Sequence, residues 1–523
     1  MAKEIQLDKN GKPKFGMVDK LAYAAGDLGC NMSFALKGTV QTFWLVFMMM
    51  ETGLLSILLL VVQIWDAIND PLIGSLIDRD NRKYKMGKFK TYIFIGAIGL
   101  LVAGALCFIP LPNADVVTKS ILFVLGYIIW DAFYTVANVP YGSMLSLVTE
   151  DKAERASLST WRSIGSMIGN MLPMILLPML IWQDHKYDGT GIIPQVDGTY
   201  HINPETGNPY AIGDVMINPL TGKNVQDLLG ERVFWVALIM GVLGFIFFMF
   251  MIKKITLRVD ESSVKIEEGG KVSKTNIFRS FALFLTNRPA VGATVAAMAM
   301  FLGMNSASTA TTIMFATYFG KASLSGVASV IGFLPMFAFM PFIKKIVEKY
   351  GKKEAATVGA LVSLVGGVLM FVFPLIPNTT ISLVAYIIAL AVFGLGMGFY
   401  TCISWAMMAD AIDYSEWKTG KREEGTVYSL HSFFRKLAQG VGPSVVLLIM
   451  GAIGYASELG TVGQSIQTAY NMCWLVAALY LFSAILQFIG IAFIYNVDKK
   501  TLDVMTDELK ERREGSVKVA ENA

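Results

Sequence analysis

Apolar stretches recur along the chain, separated by short polar ones, and most have the roughly 20 residues that a helix needs to cross a bilayer. Twelve can be drawn, near 21–49, 54–77, 91–111, 119–147, 157–182, 233–252, 289–319, 324–346, 355–376, 380–409, 427–455 and 467–496. The pattern predicts an all-α integral membrane protein with twelve transmembrane helices. Composition agrees, with 54% hydrophobic residues, 16% charged residues and a mean hydropathy of +0.53. Soluble proteins carry about 25% charged residues. The net charge of +4 is too small to suggest a nucleic-acid partner.

The charges sort by side. Basic clusters lie in the N-terminal tail, in "DRDNRKYKMGKFK", in "DKAER", over 253–288, in "KKIVEKYGKKE", in "KTGKREE" and in the C-terminal tail. The alternate loops near 49–54, 112–118, 377–380 and 456–466 contain neither Lys nor Arg. The positive-inside rule then puts both termini in the cytoplasm of a cell-membrane protein. A cytoplasmic N-tail (1–20), a six-helix half (21–252), a cytoplasmic linker (253–288), a second six-helix half (289–496) and a cytoplasmic C-tail (497–523) follow. A polar insert, 183–231, falls outside; its richness in Gly, Asn, Pro and Asp predicts an ordered or semi-ordered loop. The N-terminus lacks the pattern of a cleaved signal peptide, so the first span is expected to serve as the targeting signal. The cysteines, Cys30, Cys107, Cys402 and Cys473, all sit in apolar segments and read as inert packing residues.

The two halves resemble each other. "DPLIGSLIDRDNRKYKMGKFK" follows span two and "MPFIKKIVEKYGKKE" follows span eight; each runs from Pro through a basic stretch to Gly-Lys. After spans four and ten, "MLSLVTEDKAERASLSTWRSIGSMIG" and "MMADAIDYSEWKTGKREEGTVYSLHSFFRKLAQGVG" each run from an acidic patch through Arg to a polar helix. Two six-span halves joined by a basic linker resemble the major facilitator superfamily, whose fold is built from such repeats.

The chemistry lies in the charges buried within the spans. Asp66 and Asp70, in "QIWDAINDPLIG", are about 40° apart on a helix and so share a face. An Asp at mid-bilayer is unfavourable by about 3 kcal/mol. Two on one face also repel each other unless a cation or proton lies between them, or buried Lys or Arg residues pair with them. Lys37, inside span one, has three roles open to it: neutralising Asp66 or Asp70, snorkelling outward, or receiving a substrate carboxylate. Neither a nucleophile–base cluster nor a metal-ligand cluster is visible, and no G-x-x-x-x-G-K-[ST] occurs. Enzyme, cofactor-dependent and ATP-driven classes are therefore disfavoured.

"WDAINDPLIG", "GDLGCN" in span one, "YTVANVPYGSM" in span four and "ADAIDYSEWKTGKREEGTVYSLHSFFRK" together resemble the glycoside–pentoside–hexuronide:cation symporter family, which includes the melibiose carrier. The resemblance runs through all twelve spans. It implies that Asp66 and Asp70 are cation ligands and that Thr135 is a hydroxyl ligand beside them. It also implies that Asp27 accepts sugar hydroxyls, that Tyr134 and Arg162 contact sugar, and that Lys436 faces the cation site. Asp410, Asp413, Glu416 and Arg422 resemble parts of a cytoplasmic gate. Where the melibiose carrier has a further acid this chain has Asn138, as do family members with "N-[IV]-P-Y-G". One negative group is missing there, which favours a proton over sodium. Gly142, Thr401 and Gly26 replace family Trp, Trp and Lys residues, so the sugar pocket is rebuilt and melibiose itself is disfavoured.

Several other residues complete the expected site. Asn31 lies one turn after Asp27 on the same face, and Trp130, Tyr134, Trp161 and Trp405 are candidate sugar platforms. Asn305, Thr309 and Thr312 make a polar stripe in span seven. His431 is either a proton carrier or a hydrogen-bonded interior residue, and Arg435 snorkels or pairs with a gate acid. Asp78, Arg82, Lys88, Asp151 and Arg155 either set topology or close one face through salt bridges. The expectation is a monomeric cation-coupled symporter, driven by H⁺ or Na⁺, that imports a glycoside, pentoside or hexuronide. A lysolipid carrier and a non-transporting sugar sensor are the alternatives.

Overall fold

The computed structural model describes residues 13–80, 82–149, 151–187, 202–218, 222–259, 277–420, 424–461 and 464–521, apart from a few side chains within them. The linker expected at 253–288 and the insert expected at 183–231 therefore fall partly outside the described residues.

Almost every described residue outside the insert belongs to a helix. In chain order these are α1 (Met17–Phe34), α2 (Leu36–Thr42), α3 (Thr52–Arg79), α4 (Lys88–Leu106), α5 (Val116–Ser143), α6 (Leu145–Val148), α7 (Lys152–Ile181) and α8 (Gly230–Lys254). There follow α9 (Ile277–Thr286), α10 (Arg288–Met304), α11 (Ser306–Met314), α12 (Ser325–Tyr350), α13 (Lys352–Leu369), α14 (Thr379–Thr419), α15 (Glu424–Ala452), α16 (Ile466–Phe488) and α17 (Lys499–Glu521). Among the described residues, 10 spans are long and apolar enough to cross a membrane. The expected first and eighth spans correspond to Met17–Phe47 and α12.

Local chemistry sets where the helices begin. Glu51 accepts from the N–H groups of Gly53 and Leu54, Asp115 from Thr118, Asn287 from Ala290 and Asn378 from Thr380 and Ile381, so each caps the helix that follows. The repeated Gly-Lys has a conformational cause. Gly87 and Gly351 precede α4 and α13 at φ 87° and 104°, a region that side chains rarely enter, and each turns the chain directly into a helix.

Spans one and seven share a second repeat. A single residue, Ala35 or Asn305, separates α1 from α2 and α10 from α11. Each span then ends in a π-helical turn, Phe43–Phe47 or Phe315–Phe319, followed by a residue of positive φ, Met49 at 53° or Gly320 at 63°. Ala35 and Asn305 both keep right-handed helical backbone, so neither span unwinds at that point.

The chain forms two compact units, the first made of Met1–Glu268, Thr312–Val327 and Leu447–Ala469 and the second of Gly269–Thr311, Ala328–Val446 and Tyr470–Ala523. In the first, α1 packs on α7 and α8, α4 on α5 and α8, and α3 on α5. Glycines permit the close approaches: a Cβ on Gly96 would lie 2.6 Å from the Ala137 backbone nitrogen, and one on Gly165 would lie 2.2 Å from the Ala24 carbonyl oxygen. In the second, α13 packs on α14, and α10 packs on α14 and on the π-helical turn Ile489–Ile494. Tyr400, Met407, Ile491 and Tyr495 are fully buried there.

The described part of the insert is folded. Strands β1 (Trp182–Asp184) and β4 (Gln226–Leu228) pair antiparallel, as do β2 (Ile217–Asn218) and β3 (Lys223–Asn224), around buried Tyr210, Met216 and Val225. Gln226 accepts from the Ala322 N–H through Oε1 (3.2 Å) and from the Thr461 hydroxyl through its carbonyl. The insert thus holds two helix-end turns distant in sequence. The C-terminal tail, expected only as a tail, carries α17, which is pinned by Trp417 Nε1 donating to Glu508 (2.7 Å) and by the Lys499 N–H donating to Glu354.

Candidate functional site

Two polar clusters occupy the first unit. In one, Arg162 of α7 donates to Asp27 of α1 at 3.1 Å. Asn31 adds a bond to the same carboxylate (3.1 Å) and receives one from Asn170 through its Oδ1 (2.7 Å). The Arg162 guanidinium lies over the Tyr141 ring at 5.1 Å, and Tyr141 stacks on Tyr23 at 4.8 Å. Gly165, one turn beyond Arg162, and Ala24, nearly one turn before Asp27, bring α1 and α7 close enough for this pairing. Asp27 and Arg162, expected from the resemblance, and Asn31, expected from its spacing, are therefore one hydrogen-bonded group.

The second cluster joins α2, α3 and α5. Lys37 Nζ lies 3.5 Å from Asp66 Oδ2, with the rings of Phe34, Tyr127 and Trp130 at 5.2, 5.9 and 5.9 Å. Of the roles open to Lys37, it takes the pairing with Asp66 here. The aromatic faces add cation–π attraction for the ammonium. Thr135 donates to Asp70 (2.7 Å), while the Asn69 amide donates to both Thr135 and Asp131 (3.1 Å each). A chain of bonds thus runs Asp131–Asn69–Thr135–Asp70. Trp130 donates to Ser33 (2.7 Å), and the Tyr134 ring lies 5.9 Å from Phe34. Asn138 is half-buried one turn past Thr135 and takes part in none of these bonds.

Asp131 is absent from the expected set. It is 1% exposed and sits mid-span in "YIIWDAFYT", where an intramembrane acid is itself a signal.

The second unit carries Lys436, half-buried on α15. His431 is buried and shares a 2.9 Å hydrogen bond with Thr294, which matches the interior-residue alternative. Arg435 lies over Trp405 at 5.0 Å and over Phe301 at 5.7 Å. Of the expected gate residues, Asp410 pairs with Lys352 at 2.6 Å, Asp413 and Glu416 are half-buried on α14, and Arg155 donates to the Thr149 carbonyl at 2.8 Å. Arg422 and the Asp78 side chain lie outside the described residues. In the loop after α3, hydrogen bonds from Tyr84 and Tyr92 hold the Asp80 carboxyl down at about 2.

A family model described as MFS/sugar transport protein matches residues 22–499. An uncharacterized symporter of Bacillus subtilis, YnaJ, is 30% identical over 515 residues, covering 97% of each chain. The isoprimeverose transporter of Lactiplantibacillus pentosus is 26% identical over 95% of this chain and 93% of its own. Among solved structures, the inward-open xylose transporter XylE from E. coli superposes with a TM-score of 0.54 over 93% of this chain and 98% of its own, at 14% identity, a likeness of fold.

Proposed function

Because the chain belongs to the MFS/sugar transport protein family, a family of multi-pass membrane transporters rather than enzymes, we propose that it is a cation-coupled symporter importing a glycoside, pentoside or hexuronide. The observation that carries this reading is the second cluster. Three carboxylates, Asp66, Asp70 and Asp131, stand in the spans beside one lysine; Lys37 pairs with Asp66, and Asn69 and Thr135 join Asp131 to Asp70. A charge in a span is unfavourable without a compensating partner, and a coupling cation supplies that compensation. The Asp27–Arg162–Asn31 group offers a carboxylate, a guanidinium and an amide to sugar hydroxyls. A relative named isoprimeverose transporter supports a glycoside substrate.

In this mechanism, cation and sugar bind in the same conformation and raise each other's affinity by one factor, as linkage requires. The acids of the second cluster, Asp66, Asp70 and Asp131, with Thr135 beside Asp70, form the cation site; Asp27, Asn31 and Arg162 orient the sugar. The protein works in the cell membrane, both termini cytoplasmic, by alternating access.

Uptake into vesicles across a panel of labelled glycosides, pentosides and uronides, under a Na⁺ gradient, a pH gradient or none, tests the proposal. Gradient-driven accumulation of one of these sugars is the expected result. Movement of none, under any gradient, would overturn it.

A further inference from the structure

We propose that Asp131 is the carboxylate that takes up and releases the coupling proton, an inference that rests on the cation-coupled reading above. Its surroundings distinguish it from Asp66, and its fuller burial distinguishes it from half-buried Asp70. Asp66 is matched by Lys37 at 3.5 Å. Asp131 is 1% exposed and has no lysine or arginine in ion-pair range among the described residues. The hydrogen bond it receives comes from the Asn69 amide to Oδ2 (3.1 Å), and Oδ1 accepts none among the described residues.

A buried carboxylate served by one neutral donor is poorly compensated, and a proton removes its charge. A metal ion needs several oxygens converging on one point. At Asp131 the polar side chain in hydrogen-bond contact among the described residues is the Asn69 amide, which presents its nitrogen and not an oxygen.

A second feature lies on the residue bonded to the same carboxyl. Asn69 is 1% exposed, and its Oδ1 is buried with no hydrogen-bond partner among the described residues. The amide nitrogen already serves Asp131 and Thr135, so the orphaned oxygen is an acceptor awaiting a donor in this neighbourhood. A protonated carboxyl is such a donor, and an ionised one is not.

The groups facing Asp131 set the field it titrates in. Lys37 of α2 is the positive charge of this neighbourhood, and Asp66 and Asp70 of α3 are the other negative ones. Tyr127 and Tyr134 on its own helix stay neutral in this range. Across from this stretch of α5, α4 presents Gly96, Gly99 and Gly104, and residues 93–106 include no ionisable side chain. In the loading step a proton leaves water on one side of the membrane and bonds to Asp131 Oδ1. In the unloading step that O–H bond breaks and the proton returns to water on the other side. The Asn138 position, where the melibiose carrier has its further acid, is then not needed for charge coupling, because the acid stands two turns earlier on the same helix.

The test reads the carboxyl directly. Infrared spectra of the purified full-length chain in lipid are recorded against pH, with no sugar present. Wild type should show a protonated-carboxyl stretch that persists to pH values above the ordinary Asp range. Asp131→Asn should lose it, Asp131→Glu should keep it at a shifted frequency, and Asp66→Asn should leave it in place. Elution as a monodisperse peak separates loss of the group from loss of the fold. The same band in wild type and in folded Asp131→Asn would overturn the assignment, as would its disappearance from wild type on adding Na⁺ at constant pH. Since no sugar enters the sample, failure here is distinguishable from failure of the sugar panel.

Discussion

Met49 holds φ at 53°, and it is the one described non-glycine residue with positive φ. Its counterpart after the matching turn of span seven is Gly320. A side chain in that region costs roughly 1–2 kcal/mol, and Met49, half exposed, buries too little to offset this. Met49→Gly should therefore raise the thermal midpoint, with about 1 kcal/mol at most left after glycine's extra unfolded-state entropy. Gly320→Met should do the reverse and more, since a Cβ there meets Lys223 Cβ at 3.0 Å. A fall in the midpoint of Met49→Gly in detergent melts would refute the strain account. The site was only partly readable at this scale. Asp27, Asn31, Arg162, Asp66, Asp70 and Thr135 were reachable from spacing and resemblance. Motif comparison directs attention to position 138 and past Asp131, although a lone Asp in an apolar run is visible to anyone counting charges. The choice of Asp66 for Lys37 depends on how α2 meets α3, which no local pattern encodes.

At the scale of the element, helix contacts rest on small residues. Gly165 sets the spacing between α1 and α7, and through it the reach from Arg162 to Asp27. Because the atom in the way is backbone, Gly165→Ala cannot be accommodated by a side-chain turn and should part the helices. The expected result is a loss of stability of about 1–3 kcal/mol, the usual cost of overpacking, together with weakened sugar uptake. Retention of both wild-type stability and wild-type affinity would show that the pair does not depend on this approach. The spans were legible because a 20-residue apolar run has few alternatives in a bilayer. The Gly-Lys repeat was also legible, and Gly87 and Gly351 explain it. The helix α17 was not: its sequence is mostly charged, and its order comes from Trp417 and Glu354, distant in the chain. The strands of the insert, two or three residues long, are too short for alternation to register.

At the scale of the molecule, Arg258 gathers several described segments of the first unit that are distant in sequence. It pairs with Asp19 at 2.8 Å, its side chain donates to the carbonyls of Pro13 and Val148, and its own N–H donates to Leu147. Both charged side chains are at least nine-tenths buried. Removing one partner of such a pair costs about 3–5 kcal/mol, whereas removing both is far milder. Arg258→Ala should thus lower stability sharply. Arg258→Met combined with Asp19→Asn should recover part of the loss, the rest reflecting the backbone carbonyls left bare. A double variant no better than Arg258→Ala would indicate that the carbonyl contacts, not the charge pair, dominate.

The bond from Thr461 to Gln226 closes over 235 residues of chain. At about 5–20 residues per second of synthesis, β4 leaves the ribosome roughly ten to fifty seconds before that partner exists. The insert must therefore wait, half-docked, while most of the second half is made. The interval, rather than the finished fold, is when this chain is most exposed to proteases and to mispairing. Slowing translation between the two positions should lower the yield of folded protein more than an equal delay placed after residue 469.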